Sequence, residues 1–144
     1  MVVLSFMPER SLQQKSKENI ESADLLVDNG YFDASVHCSY YGCLQLMKLT
    51  IKKVGNIDFK TQHIDSRDNG GSHIYIVNTF KSLFTGGKFK VGIEKHTNAI
   101  KKLKELRVQA DYDPERVDSL KSRSAVSLAQ EFSTFIFEEI KIKI

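Results

Sequence analysis

Apolar residues recur along this chain at steps of three and four, the period of an α-helix with one side turned to a core. Leu12, Ser16, Ile20, Ala23 and Val27 fall on one face of a first predicted helix. It starts near Pro8, a favourable first-turn residue. Asn29 and Gly30 end it, because glycine takes the left-handed conformation that closes a helix. Asp33 is a good N-cap for a second helix running to about Val54 and Gly55. Its apolar residues, among them Val36, Cys43, Leu44, Met47 and Ile51, spread around much of the circumference. Such a helix belongs in the middle of a bundle or at a subunit interface. Gly42 in its interior costs about 1 kcal/mol relative to alanine, which predicts a close helix approach there.

From Asn56 to Gly71 the pattern breaks, and Asp65 to Gly71 reads as a loop too polar and glycine-rich to pack. Ser72 can cap a third, shorter helix carrying Ile76, Val77, Phe80, Leu83 and Phe84, which Gly86 and Gly87 stop. A fourth helix, from Val91 or Gly92 to Tyr112, has the cleanest period: Ile93, His96, Ile100, Leu103, Arg107 and Ala110. Asp113 then caps, and Pro114 opens, a fifth helix with Val117, Leu120, Ser124, Leu128 and Phe132 along one side. The alternation of charged and apolar residues from Glu138 to Ile144 predicts a tail that frays or pairs with a neighbouring chain. No stretch reads as a strand. The expected fold is all-α, an up-and-down antiparallel bundle of four to five helices, with residues 1–144 forming one domain.

A length of 144 residues suits a single core, and 41% hydrophobic with 27% charged residues argues against disorder. The formal net charge of +3 is compatible with RNA or an acidic partner without demanding either. Met1 to Met7 is apolar but lacks a basic start and meets Pro8, Glu9 and Arg10 too soon for a secretory signal. No apolar run is long enough to cross a bilayer, so the expectation is a cytoplasmic protein without a membrane partner. Cys38 and Cys43 are five apart, which fits neither a redox pair nor a zinc knuckle, and they read as reduced thiols. His37, His63 and His96 lack metal-ligand spacing, and His37 and His96 read as ordinary helix residues. Without a phosphate loop, a nucleophilic triad or a zinc cluster, neither metal nor cofactor is expected.

Arg107 breaks the apolar stripe of the fourth helix, where a guanidinium needs a partner or a wet groove. Asp111 lies one helical turn later and can pair with it, and Tyr112 follows at the helix end. One reading is an arginine tied to a carboxylate and reaching the edge of the bundle. The other is a planar, permanently charged fork held ready for phosphate. Tyr40 and Tyr41 read first as core or dimer-face aromatics, with nucleotide stacking as the functional alternative. Lys48, Lys52 and Lys53 with Lys101, Lys102 and Lys104 read as solvated faces that would line a phosphate-binding surface if those helix ends converge.

The segment Leu106 to Pro114, with its Arg107 and Ala110-Asp111-Tyr112, resembles the arginine and alanine-aspartate-tyrosine segment of bacterial and archaeal HEPN-domain proteins. Tyr40-Tyr41-Gly42 is similar to that family's tyrosine-tyrosine-small signature. Leu25 to Tyr31, Ser72-His73 with Phe80, and Ala125 to Phe132 resemble its other helices in the same order, so the resemblance spans nearly the whole chain. It implies a helical bundle, frequently acting beside a small nucleotidyltransferase in a toxin–antitoxin pair. Together with the broad apolar surface of the second helix, it makes a homodimer the expectation. Many such proteins are metal-independent endoribonucleases whose motif is an arginine followed within a few residues by a histidine. Here Val108 is apolar where that motif is commonly polar, Tyr112 stands about where the histidine would be, and no histidine follows Arg107. Arg67 and His73 satisfy the spacing formally but lie across a loop and a helix start, so they read as a coincidence.

The leading expectation is therefore a HEPN-like domain binding RNA, a nucleotide or a nucleotidyltransferase partner through Arg107, Asp111 and Tyr112 with Tyr40 and Tyr41, without catalysis of its own. Alternatives are an endoribonuclease in which Tyr112 or His73 takes the histidine's part, and a purely structural partner subunit. In the partner role, Tyr112 would be open to modification, because tyrosine occupies a toxin's active centre in some HEPN systems.

Overall fold

The computed structural model describes residues 8–143, and every regular element in that span is helical. The expectation about Met1 to Met7 lies outside the described residues. No described helix is long and apolar enough to cross a membrane.

Helices α1 (Pro8–Asp28) and α2 (Phe32–Gly55) form an antiparallel hairpin. Gly30 takes a φ of +83° in the turn between them. Ser35 Oγ donates to the Ala23 carbonyl at 2.7 Å, and Asn19 Nδ2 donates to Gln45 Oε1 at 2.9 Å, fixing the register. The close approach expected at Gly42 is present. A Cβ there would stand 2.8 Å from Ile20 Cγ1 and 3.5 Å from the Ser16 carbonyl. Helix α2 is the centre of the molecule, with Val36, Cys43, Leu46, Met47, Leu49 and Ile51 all shielded from water. Cys43 lies in the main core and Cys38 in a small side cluster with Val27 and Phe32; both are free thiols.

The stretch where the apolar pattern breaks contains a further helix, α3 (Phe59–Asp68), which takes in the first residues, Asp65 to Asp68, of the expected loop. Asp58 caps it by accepting from the Thr61 N–H at 2.7 Å. Its hold on the bundle is polar: buried Gln62 donates Nε2 to the carbonyls of Lys48 at 3.1 Å and Ile57 at 2.9 Å. A helix fastened by hydrogen bonds needs no apolar stripe, so the sequence shows no periodicity there. It also reverses the direction of the chain. Helix α4 (Ser72–Ser82) begins with His73 against Tyr40, and Leu83, just past its end, packs on Gly55. It therefore runs along α2 in the same direction. From Tyr40 to Gly55 α2 rises about 22 Å, and α3 brings the chain back over that span.

Helix α5 (Lys90–Tyr112) runs antiparallel to α2, as the pairs Tyr40–Arg107, His37–Asp111 and Asp33–Val117 show. The last helix begins later than expected. Asp113 accepts from the Glu115 N–H at 2.9 Å in a turn, and Pro114 stays in the connector. Asp118 caps α6 (Ser119–Thr134) by accepting from the Lys121 N–H at 2.8 Å. Asp33 does not cap its own helix; its Oδ1 accepts from the Val117 N–H at 2.8 Å and ties this connector to α2. Because Val117 precedes α6, the stripe counted from it is out of phase. Ser122, Ala125, Val126, Ala129 and Phe132 face inward, Leu128 is half-buried, and Leu120 is 79% exposed.

The tail also departs from expectation. Phe135–Glu139 forms a π-helical turn, and Ile142 returns to the core with its N–H on the Ile136 carbonyl at 3.3 Å. Ile144 lies outside the described residues. The described residues form an all-α bundle of six α-helices, where four to five were expected, and the short α3 is the addition.

Gly42→Val inserts two branches of side chain where α1 and α2 touch, and overpacking of this kind costs about 2 kcal/mol. The midpoint of urea unfolding should fall accordingly, with the slope unchanged. An unaltered midpoint would contradict the contact.

Candidate functional site

Helical spacing sets out the polar residues that α2 and α5 share. His37, Tyr40 and Tyr41 stand at steps of three and four, on one face of α2. Arg107 and Asp111 are one turn apart on α5, and the antiparallel pairing brings the two sets together. The first turn of α4 adds His73, carried there by the return path through α3.

Arg107 is the hub. Its side chain is only 15% exposed, and Nη1 donates to Asp111 Oδ2 at 3.2 Å. The guanidinium carbon lies 5.1 Å from the Tyr40 ring centroid and 5.7 Å from that of Tyr41. Contacts of these kinds contribute roughly 1 kcal/mol each, enough together to hold the fork in one place. Its Nε is buried and has no hydrogen-bond partner among the described residues. Burial by itself would lower the Arg107 pKa, but the Asp111 hydrogen bond and then the two tyrosines raise it, so the charge is permanent.

A histidine stands on either side of this hub. His37 Nδ1 is 3.2 Å from both carboxylate oxygens of Asp111, and its ring packs 4.6 Å from that of Tyr41. With Nδ1–H donated to the carboxylate, Nε2 is left as the lone-pair nitrogen. The Tyr40 hydroxyl is 3.0 Å from His73 Nδ1. Burial pushes the His73 pKa down to about 4, and the nearby charges of Lys104, Lys101 and Arg107 push it the same way. Burial also lifts Tyr40 to about 12, against the pull of Arg107. At neutral pH the pair is therefore an uncharged imidazole and a protonated phenol.

The arrangement offers an immobilised guanidinium, two imidazoles, a carboxylate that fixes one of them, and lysines within electrostatic range. It suits an anion carrying a planar ring: phosphate on Arg107, a base beside the Tyr41 and His37 rings. No cluster of three metal-ligating side chains occurs among the described residues.

Comparison with family models, with curated proteins and with solved structures finds no match for the chain. The chemistry of the site rests on its geometry alone. Of the candidate residues that the sequence marks, Arg107, Asp111, Tyr40 and Tyr41 come together. Tyr112, the last residue of α5, is 76% exposed and stands apart from the hydrogen bonds of the cluster. Arg67 is an exposed residue in the last turn of α3, whereas His73 reaches the cluster through α4. His37, expected to be an ordinary helix residue, belongs to the cluster as well. Its spacing from Tyr40 and Tyr41 is the signal that places it on their face.

His73 should titrate with a midpoint near 4 in an NMR titration of the folded chain, well below its ordinary value of 6.5. A folded-state pKa below the unfolded one gives a stabilising contribution that is complete above about pH 6.5 and lost as pH falls towards 4. His73→Gln should remove that part of the pH dependence. A His73 midpoint near 6.5 would contradict the burial.

Proposed function

We propose that this chain is a HEPN-type domain that binds the phosphate backbone of RNA, or a nucleotide, at the Arg107 cluster. The observation that carries this reading is the convergence of α2, α4 and α5 on one guanidinium already oriented by Asp111 and two tyrosine rings. A bound phosphate would meet the guanidinium edge not taken by Asp111, and Lys101 and Lys104 would add attraction at longer range. Tyr41 and His37 would offer ring surface to a base.

A second reading, metal-independent RNA cleavage, is favoured by the His37–Asp111 pair. In that reaction the 2′-hydroxyl attacks the adjacent phosphorus, a base takes its proton, and an acid returns one to the departing 5′-oxygen. The products are a 2′,3′-cyclic phosphate and a 5′-hydroxyl. Arg107 would stabilise the charge that builds on phosphorus-bound oxygens. A two-histidine version needs both imidazoles matched to the working pH. His73, held near 4, is a weak base and is never an imidazolium at neutral pH. Binding is therefore the stronger reading, and any cleavage is expected to be slow.

Binding of a fluorescein-labelled 12-nucleotide oligouridylate, followed by anisotropy, tests both. Arg107→Ala should weaken binding roughly tenfold to a hundredfold, the usual value of a charge-assisted phosphate contact. Arg107→Lys should recover only part of it. Circular dichroism should match the parent in both variants. Unchanged binding by a folded Arg107→Ala variant would remove the site assignment. If RNA is cut on long incubation in the presence of a chelator, His37→Ala should abolish the cutting; RNA left intact by the parent rejects the second reading.

A further inference from the structure

A concavity of about 420 Å³ opens where the start of α1, the later half of α2, α3 and the first turn of α4 meet. That volume is within the range of small-ligand sites, roughly 300–1,000 Å³. None of the Arg107 cluster lines it. Leu12, Phe59 and Ile76 provide apolar walls, and Lys15 and Lys48 provide the charge. No carboxylate lines it, and neither lysine has one within ion-pair distance among the described residues. Glu9, next to the lining residue Pro8 on α1, stands 3.9 Å from Lys52.

Lys48 is the informative residue. It is half-buried, and its burial lowers the pKa with no acidic neighbour to offset the cost. Its ammonium makes no salt bridge among the described residues, which leaves it free to meet an anion. Gln62, one of its lining residues, donates Nε2 to the Lys48 and Ile57 carbonyls and so ties α3 to α2 beside the concavity.

We propose that this concavity binds a small organic anion, its acid group on Lys48 and Lys15 and its apolar body against Leu12, Phe59 and Ile76. Inorganic phosphate lacks the body that three apolar side chains would cover, and a neutral hydrocarbon leaves Lys48 without a counter-charge. The body is aliphatic or a flat ring system, and the two share this recognition chemistry. The proposal does not depend on what the Arg107 cluster binds. The two places draw on different turns of α2, and at the start of α4 Ser72 lines the concavity while His73 bonds Tyr40.

The test is fluorescence titration of the full chain with 8-anilinonaphthalene-1-sulfonate, which joins a sulfonate to fused rings. Saturable binding of one molecule per chain is expected. Lys48→Met should weaken it roughly tenfold, Lys48→Arg should retain it, and the uncharged N-phenyl-1-naphthylamine should bind roughly tenfold more weakly than the sulfonate. Ser11→Trp, which fills the concavity from α1, should abolish binding while the circular dichroism spectrum stays native. Displacement by octanoate assigns an aliphatic body, and displacement by adenosine monophosphate a flat one. Fluorescence that never saturates, displacement by neither competitor, or parent-like binding by both Lys48→Met and Ser11→Trp overturns the proposal.

Discussion

Val36, Cys43, Leu46, Met47, Leu49 and Ile51 lie on different sides of one helix, and all of them must be kept from water. No single neighbour can do this, so α1, α4, α5 and α6 all pack on α2. Burying a side chain of that size contributes about 2 kcal/mol, which makes full coverage of α2 the dominant demand on the fold. The approach of α1 at Gly42 and the polar return through α3 both serve it. Without α3, α4 would start at the far end of α2, and His73 would never meet Tyr40.

Coverage is incomplete in character at the early turns of α2, where His37, Tyr40 and Tyr41 interrupt the apolar residues. Polar groups half-hidden in a bundle need partners, and α5 brings Arg107 and Asp111 to supply them. The same contacts that stabilise the bundle therefore assemble the site. Burial and charge act in one direction on His73: partial burial and three nearby cations keep its ring neutral. In the proposed reading, an imidazole of such low basicity beside a fixed guanidinium suits holding a phosphate better than cutting beside one.

The helices with an apolar stripe are legible in the spacing of residues along the chain. Ile20, Ala23 and Val27 on α1, and Ile93, Ile100 and Leu103 on α5, are buried where that spacing puts them. Arg107 is legible as the centre of the polar cluster for the converse reason: a charge on an otherwise apolar stripe marks a place where something must meet it. The elements that differ from expectation share a cause. Helix α3 is held through Gln62, which carries no periodic signal, and the apparent stripe of α6 starts at Val117, which Asp33 anchors across the fold.

The order of apolar and polar residues is enough to make this chain a helical bundle, because a 3.6-residue period and its glycine breaks are local properties. The contacts between helices decide that α2 lies at its middle. The order of residues also singles out Arg107 and Asp111, one turn apart on one helix. That His37 and His73 join them, that Tyr112 stands apart and that Leu120 faces outward are consequences of the tertiary arrangement. Those outcomes depend on which helices touch and in which direction the chain returns, and distances between helices are not written in the spacing along any one of them.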